Sequence, residues 1–282
     1  MVGAPSRRLG ARLLMDEGVS QRSACRSVGL SRRGFGLQEG PDRDSALRER
    51  LHGVWRPNMG YRMAHAFVKA EFAPLNVKRV HRIWKEERLG RMKRYRKKRT
   101  GNSVPFNASL PNQVWTVDFV HDACLNGSKL KILSVVDELT RECLALEVGT
   151  KLNSHAVRGV LSPLFERRGA PRFLRSDNGG EFIARLLAVF LFQSKSSGKF
   201  IDPGSPWQNA FVESFHSTLR RDHLDVEVFH NLADAQMKTA IYRRYYNEVR
   251  PHSSLGYRPP AVAAEDWTTN LLMSKCAESP RL

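Results

Sequence analysis

Between Val114 and Val148 the chain carries three runs of β-branched, aliphatic and aromatic residues separated by turn-formers, and this stretch constrains the fold most. Val114 to Val120 reads as a strand with no breaker. Asn126-Gly127 is a strong hairpin signal, and Leu130 to Val136 follows it as a second strand. Asp137-Glu138 marks the next turn, and Glu142 to Val148 reads as a third strand. A helix is then expected from about Ser154 to Arg168, with Val157, Val160, Leu161 and Leu164 in an apolar stripe. Phe173-Leu174 begins a fourth strand, Phe182 to Gln193 is a mostly apolar helix, and Lys199-Phe200-Ile201 is a short fifth strand. Three antiparallel strands followed by helix, strand and further helices is an α/β order.

Three acids stand out against this pattern. Asp118 lies inside the first strand, and Asp177 sits where an apolar run stops ahead of Asn178-Gly179-Gly180. The two glycines are expected to supply the positive φ of a tight turn. Glu213 lies in a helical stretch from Pro206 to about His223. On that helix Asn209, Glu213, His216 and Arg220 share an arc of roughly 60°. Phe211, Phe215 and Leu219 fall on the opposite, core-facing side. Alone, each acid has an ordinary explanation: a strand-end Asp forms turns, and a helical Glu is solvated. Together, three hard oxygen donors from two strand ends and a helix are what a pair of Mg²⁺ ions requires. Such a pair activates an attacking oxygen and stabilises a leaving one. Asp122, Asp137 and Glu138 compete for the role, but their turn positions explain them.

The basic residues are unevenly placed. The net charge is +18, yet residues 1–100 hold 25 basic and 9 acidic side chains while the other 182 hold 21 and 19. A strongly basic third beside a near-neutral remainder fits a nucleic-acid grip attached to an enzyme. Leu9, Leu13 and Leu14 line one face of a first helix ending near Gly18. Ser20 caps a second that stops at Gly29, and Ser31 caps a third. This is a helix-turn-helix pattern, with Arg22, Arg32 and Arg33 as candidate DNA contacts; a small bundle with a solvated basic face is the alternative. A second helical unit runs from Ser45 to Leu89, with Asn76 as N-cap of a helix carrying Lys78 and Arg79, and Gly90 as its C-cap. Residues 91–99 contain seven basic residues in nine, including Arg94, Lys97 and Lys98. Such a run self-repels and suits a tether that tracks DNA by releasing counterions. The helix Leu232–Val249 is expected to pack Ala235, Met237, Ile241 and Tyr245 inward.

The divisions that follow are 1–40, 41–90, a basic linker 91–111, a core 112–262 and a tail 263–282. The four cysteines are scattered with no Cys-x-x-Cys pair, which argues against a zinc ribbon or disulfide framework and suits a reducing cytoplasm. No apolar run reaches the ~18 residues of a membrane span.

Ser176-Asp177-Asn178-Gly179-Gly180-Glu181-Phe182, then Gln208-Asn209-Ala210-Phe211-Val212-Glu213-Ser214, then Tyr246-Asn247-Glu248-Val249-Arg250-Pro251-His252-Ser253-Ser254-Leu255-Gly256-Tyr257 resemble the DDE transposases of bacterial insertion sequences. The resemblance is closest to the B-frame protein of the insertion-sequence-three family, a relative of retroviral integrases, and runs from about residue 10 to residue 262. Between Asp177 and Glu213 stand 35 residues, the gap the family shows. The resemblance implies a ribonuclease-H-like catalytic core, a mixed five-stranded sheet with flanking helices, preceded by small all-α helix-turn-helix modules. Asp118, Asp177 and Glu213 would be the catalytic, metal-holding residues, with two Mg²⁺ ions or Mn²⁺ as a substitute. Asn209 and Arg220 would touch DNA, as would Lys78 and Arg79 in the second module. The implied reaction is cleavage of one strand at each element end by water, then in-line attack of the freed 3′-OH on another phosphodiester. The implied partners are double-stranded DNA, further copies of the chain, and an upstream-frame protein joined by ribosomal frameshifting. Trp207 and His216 depart from the family pattern, which favours a smaller polar residue and Asn there. Two rivals stay open: a nuclease of the same fold that stops at hydrolysis, and a helix-turn-helix regulator with a spent core.

Overall fold

The structure, a computed structural model, describes residues 3–36, 42–57, 59–90, 108–200 and 210–278. The chain divides into two compact units, Met1–Glu49 and Arg50–Leu282.

The first unit holds α1 (Ala4–Asp16), α2 (Gln21–Ser27) and α3 (Arg32–Phe35), the last two set by their N-caps. The Ser20 side chain accepts from the Ser23 amide, and Ser31 accepts from the Gly34 amide. Gly29 turns the chain between α2 and α3 at φ +66°, a conformation costly for any residue with a Cβ. The Arg8 guanidinium donates to the Gly34 carbonyl at 2.9 Å, tying α1 to α3. The expected leucine stripe is not the buried face of α1: Leu9 and Leu13 are exposed, and Ala11 is the fully buried residue. Small Ala11, together with Ala24 and Cys25 of α2, suits close helix approach.

The second unit begins within α4 (Ser45–Val54) and continues through α5 (Tyr61–Val68) and α6 (Val77–Glu86). Asn76 caps α6 by accepting from the Lys78 amide, and Val80, Ile83 and Trp84 are buried along it. Gly90 is not its C-cap. The helix ends at Glu86, and Arg88 takes the left-handed conformation at φ +54°.

The core sheet is five-stranded, in the order β3-β2-β1-β4-β5. β1 (Val114–Ala123), β2 (Lys129–Asp137) and β3 (Cys143–Gly149) form an antiparallel meander. β4 (Phe173–Ser176) runs parallel to β1, and β5 (Ser197–Phe200) parallel to β4. This mixed sheet with helices on both faces is the ribonuclease-H-like arrangement. Because strand side chains alternate between faces, Trp115 and Val117 of β1 enter one core, and Val120 enters the other. The first core includes Val157, Leu161 and Leu164 of α7 (Ser154–Arg168). It is completed by Phe182 of α8 (Gly180–Ile183) and Leu187 and Leu191 of α9 (Arg185–Gln193). The single apolar helix expected over 182–193 is broken at Ala184, whose ψ of 135° is extended. The second core takes Phe215 and Leu219 of α10 (Ala210–Leu219) with Ala235, Tyr242 and Tyr246 of α11 (Leu232–Glu248). Met237 and Ile241 are 58% and 63% exposed, so the inward face of α11 is Ala235, Thr239, Tyr242 and Tyr246. The tyrosine rings fill the space that the expected aliphatic stripe would have taken. α12 (Pro260–Glu278) closes the described chain, and no helix among the described residues is long and apolar enough to cross a membrane.

Asp137 and Glu138 are more than turn residues. Asp137 accepts from the Asn112, Leu139 and Thr140 amides, which folds the β2–β3 turn around its carboxylate. Glu138 is fully buried, 2.8 Å from the Arg175 guanidinium of β4, and accepts from the Thr116 hydroxyl of β1. Removing one member of such a pair leaves an uncompensated buried charge. Arg175→Met is therefore expected to destabilise the protein by about 3–5 kcal/mol in urea unfolding. The double variant Arg175→Met with Glu138→Leu should recover most of that loss.

Candidate active site

The sheet register brings the first two acids together. Thr116 of β1 pairs with Arg175 of parallel β4, so Asp118 and Asp177 lie two residues beyond the same pair. Asp118 also sits in register with Ser134 of antiparallel β2. The alternation that sends Val117 to one core points Asp118 at the face covered by α10, which carries Glu213. Val212, Phe215 and Leu219 anchor α10, and Glu213 is left half-buried between these positions.

The electrostatics tie the three carboxylates into one site. Asp118 is pushed up to about 6, chiefly by burial, against the pull of the Phe119 amide that donates to its carboxylate at 2.7 Å. The neighbouring charges of Asp177 and Glu213 raise it further. Both acids are therefore close enough to act on it through space. Asp177 is exposed and accepts from the Gly179 amide at 3.0 Å. The glycine that follows serves a different purpose from the one expected. Gly179 has φ −61° and Gly180 begins α8, so neither takes positive φ. A Cβ on Gly179 would instead meet Asp177 Oδ1 at 2.9 Å, so the position is bare because the carboxylate folds back over it.

His216, one turn beyond Glu213, faces the same carboxylate. Its Nδ1 lies 3.7 Å from Asp118 Oδ2, and its Nε2 lies 2.7 Å from the Ser134 hydroxyl, which also donates to the Asp118 carbonyl at 3.1 Å. Burial, with help from the Arg220 charge, lowers His216 to about 4, so the ring is neutral at pH 7. Ser134 was not singled out from the sequence. Its signal was there: one hydroxyl in the apolar run Ile132-Leu133-Ser134-Val135-Val136, opposite Asp118.

The remaining candidates stand as follows. Arg220 is exposed and donates to the His121 carbonyl at 2.9 Å, just past Asp118 along β1. Lys78 is exposed and Arg79 half-buried on α6, while Arg22, Arg32 and Arg33 are exposed on α2 and α3. α3 has only four residues, a single turn. Arg94, Lys97, Lys98, Asn209, Trp207 and the loop 202–206 lie outside the described residues.

Among the described residues no three His, Cys, Asp or Glu side chains are drawn together closely enough to hold an ion as they stand. The donor set nevertheless fits a divalent cation. The charges of Asp177 and Glu213 both reach Asp118, adding to the rise in its proton affinity that burial mainly causes, and a cation would offset that like charge. Asp177 is exposed and Glu213 half-buried, so both have room to turn.

A ribonuclease-H-like sheet with acids on adjacent parallel strands and on a facing helix defines an integrase-type core. Two family models, both described as integrase core domain, match residues 108–206 and 195–260. The 39.2 kDa protein of insertion element IS476 from Xanthomonas euvesicatoria is 38% identical over 273 residues, covering 94% of this chain and 79% of the relative. The 31.7 kDa protein of insertion element IS407 from Burkholderia multivorans is 37% identical, over 87% of this chain and 91% of the relative. The transposase InsD of insertion element IS2 from Escherichia coli is 30% identical over 77% of each chain. Among solved structures, the HTLV-2 integrase catalytic core with magnesium is similar at a TM-score of 0.41 and 15% identity, over 56% of this chain and 99% of that one. The simian T-cell lymphotropic virus intasome is similar at 0.49 and 13%, over 79% and 76%. The chain belongs to the DDE transposases of the insertion-sequence-three type. It is a DNA transposase, and the integrase core domains to which it is related use divalent metal ions, typically Mg²⁺.

Two outcomes follow from this geometry. Gly179→Ala should leave stability within about 0.5 kcal/mol of the parent, because only an exposed carboxylate must move. Its DNA-joining rate should fall by about tenfold or more, since small misplacements of a reacting group are costly. A divalent ion held by Asp118 would require its carboxylate to be ionised, so affinity should rise with pH through about 6. Calorimetry should find it about tenfold weaker at pH 5 than at pH 7, with proton release that Asp118→Asn removes.

Proposed function

We propose that Asp118, Asp177 and Glu213 form the catalytic triad of this transposase and would together hold two Mg²⁺ ions. The observation that carries this reading is the parallel β1–β4 register that sets Asp118 beside Asp177; the charges of Asp177 and Glu213 add to the rise in proton affinity that burial causes at Asp118. Bound divalent ions would supply activation of the attacking oxygen and stabilisation of the leaving one. The chain's own residues do the positioning. Asp118 is held by the Phe119 amide and the surrounding sheet, so its carboxylate need not reorganise during reaction. Asp177 is steered by the Gly179 amide, and Glu213 is presented by a helix anchored in the core. The reaction has two steps at one site. Water attacks a phosphodiester at each element end and frees a 3′-OH. That hydroxyl then attacks a second phosphodiester in line, with no covalent protein intermediate.

DNA is held, in this reading, by Arg22, Arg32 and Arg33 in the first unit and by Lys78 and Arg79 on α6. The basic run with Arg94, Lys97 and Lys98 tracks the backbone between module and core, and Asn209 and Arg220 meet the element end. Supporting this is the charge balance, with 25 basic side chains in the first 100 residues. The working assembly on paired ends contains more than one copy, together with an upstream-frame protein fused or associated. The domain division at 1–40, 41–90, 91–111, 112–262 and 263–282 belongs to the same proposal.

Asp118→Asn should abolish both strand cleavage and strand transfer, by about a thousandfold or more, in a purified assay with Mg²⁺ and labelled end DNA. Binding to the terminal repeats in a gel-shift assay should be unchanged. An Asn variant that still joins strands would refute the triad, and a parent enzyme that cleaves but never joins would favour the nuclease.

A further inference from the structure

One side chain at the site is unexplained by a carboxylate triad. His216 lies three residues after Glu213 on α10, so both project from one face of the helix. Glu-x-x-His at this spacing is how carboxylate-bridged metal centres in helical bundles bring an oxygen and a nitrogen ligand to one ion. The approach of His216 to Asp118 has the dimensions of such a site. At 3.7 Å, Nδ1 and Oδ2 are too far apart to share a hydrogen bond. Two metal bonds of about 2.0–2.2 Å meeting near a tetrahedral angle span roughly 3.4 Å, only a few tenths of an ångström less.

The partners of the ring favour the same role. The Ser134 hydroxyl has one proton, and it lies within reach of the Asp118 carbonyl. When it donates there, its oxygen accepts from Nε2–H of His216 at 2.7 Å. Nδ1 then carries a lone pair aimed at the Asp118 carboxylate, an arrangement of two acceptors that a cation between them would satisfy. A metal-bound histidine generally has its second nitrogen fixed by a hydrogen bond of this kind, which sets the tautomer. The chain Asp118 carbonyl, Ser134 hydroxyl and His216 ring returns to the residue it started from, so β1, β2 and α10 are tied together at the carboxylate.

We propose that His216 is a further ligand of the metal centre, its Nδ1 sharing a divalent cation with Asp118 Oδ2, and that it biases this transposase toward Mn²⁺ and other nitrogen-accepting cations over Mg²⁺. The physical basis is ligand softness: imidazole nitrogen gains little from hard, strongly hydrated Mg²⁺ but strengthens binding of transition-metal ions. This inference rests on Asp118 being a metal-holding carboxylate, and the test separates the two.

Full-length protein loaded with Mn²⁺ is examined by pulsed electron paramagnetic resonance, which detects nitrogen nuclei bonded to the ion. The expected result is ¹⁴N modulation of the Mn²⁺ echo, replaced by a ¹⁵N signature in protein grown with ¹⁵N-histidine. His216→Asn should retain bound Mn²⁺ but lose the nitrogen coupling, and its preference for Mn²⁺ over Mg²⁺ in competition calorimetry should drop by about tenfold. Mn²⁺ that binds, is lost in Asp118→Asn, and shows no histidine coupling would overturn the role of His216 while leaving the triad standing. Mn²⁺ binding indifferent to Asp118→Asn would overturn both. Because the isotope experiment uses the unmutated chain, it does not depend on any variant folding.

Discussion

The site depends on a buried ion pair that contributes nothing to the chemistry directly. Glu138, at the end of β2, reaches across β1 to Arg175 on β4 and takes the Thr116 hydroxyl on the way. Thr116 and Arg175 are paired residues of the parallel β1–β4 ladder. The interaction therefore clamps three strands at the register that sets Asp118 beside Asp177. A slip of one residue would turn one of the acids to the opposite face of the sheet. Burial raises the proton affinity of Glu138, and the Arg175 charge opposes that rise. A pair buried this deeply adds little net stability compared with apolar packing. Its value is that it specifies one register among several that aliphatic strands would tolerate.

A second layer fixes the helix that brings Glu213. Phe215 packs edge-on to Tyr246 of α11 at 5.0 Å, and Arg141 from the β2–β3 turn lies over the Phe211 ring at 4.1 Å. Past Leu219 the helix widens into a π turn over Arg220–Leu224. Such turns shift the phase of the residues after them and often occur near functional sites. Here the turn buries His223, stacked on Tyr242 at 4.7 Å, and places Asp222 2.8 Å from the buried Arg250. The segment following α11 thus supports the helix that carries Glu213, through packing and one ion pair.

Much of this was legible in the chain. The strand meander, the hairpin at Asn126-Gly127, the caps at Ser20, Ser31 and Asn76 and the span of α7 depend on neighbours in sequence, where propensity and turn chemistry act. The readings that failed were those decided by distant partners. Leu9 and Leu13 had the periodicity of a buried stripe, but small Ala11 was chosen for close approach. Met237 and Ile241 were the more hydrophobic residues of α11, yet the tyrosines two helical faces away filled the core. Glu138 looked like a turn residue because Arg175, its partner, lies 37 positions further on. Gly179 was rightly flagged for a wrong reason, since a carboxylate folding onto it leaves no trace in the local pattern.

The order of strands and helices and the basic character of the first third were determined by the sequence, because composition, periodicity and residue type carry them. Only the tertiary structure decided that the parallel β1–β4 register aligns two of the acids, that α10 lies over them, and that a histidine and a serine from separate elements meet at Asp118. The reason is physical. Proton affinity and ligand geometry depend on burial and on through-space charge, and both are set by residues far apart along the chain.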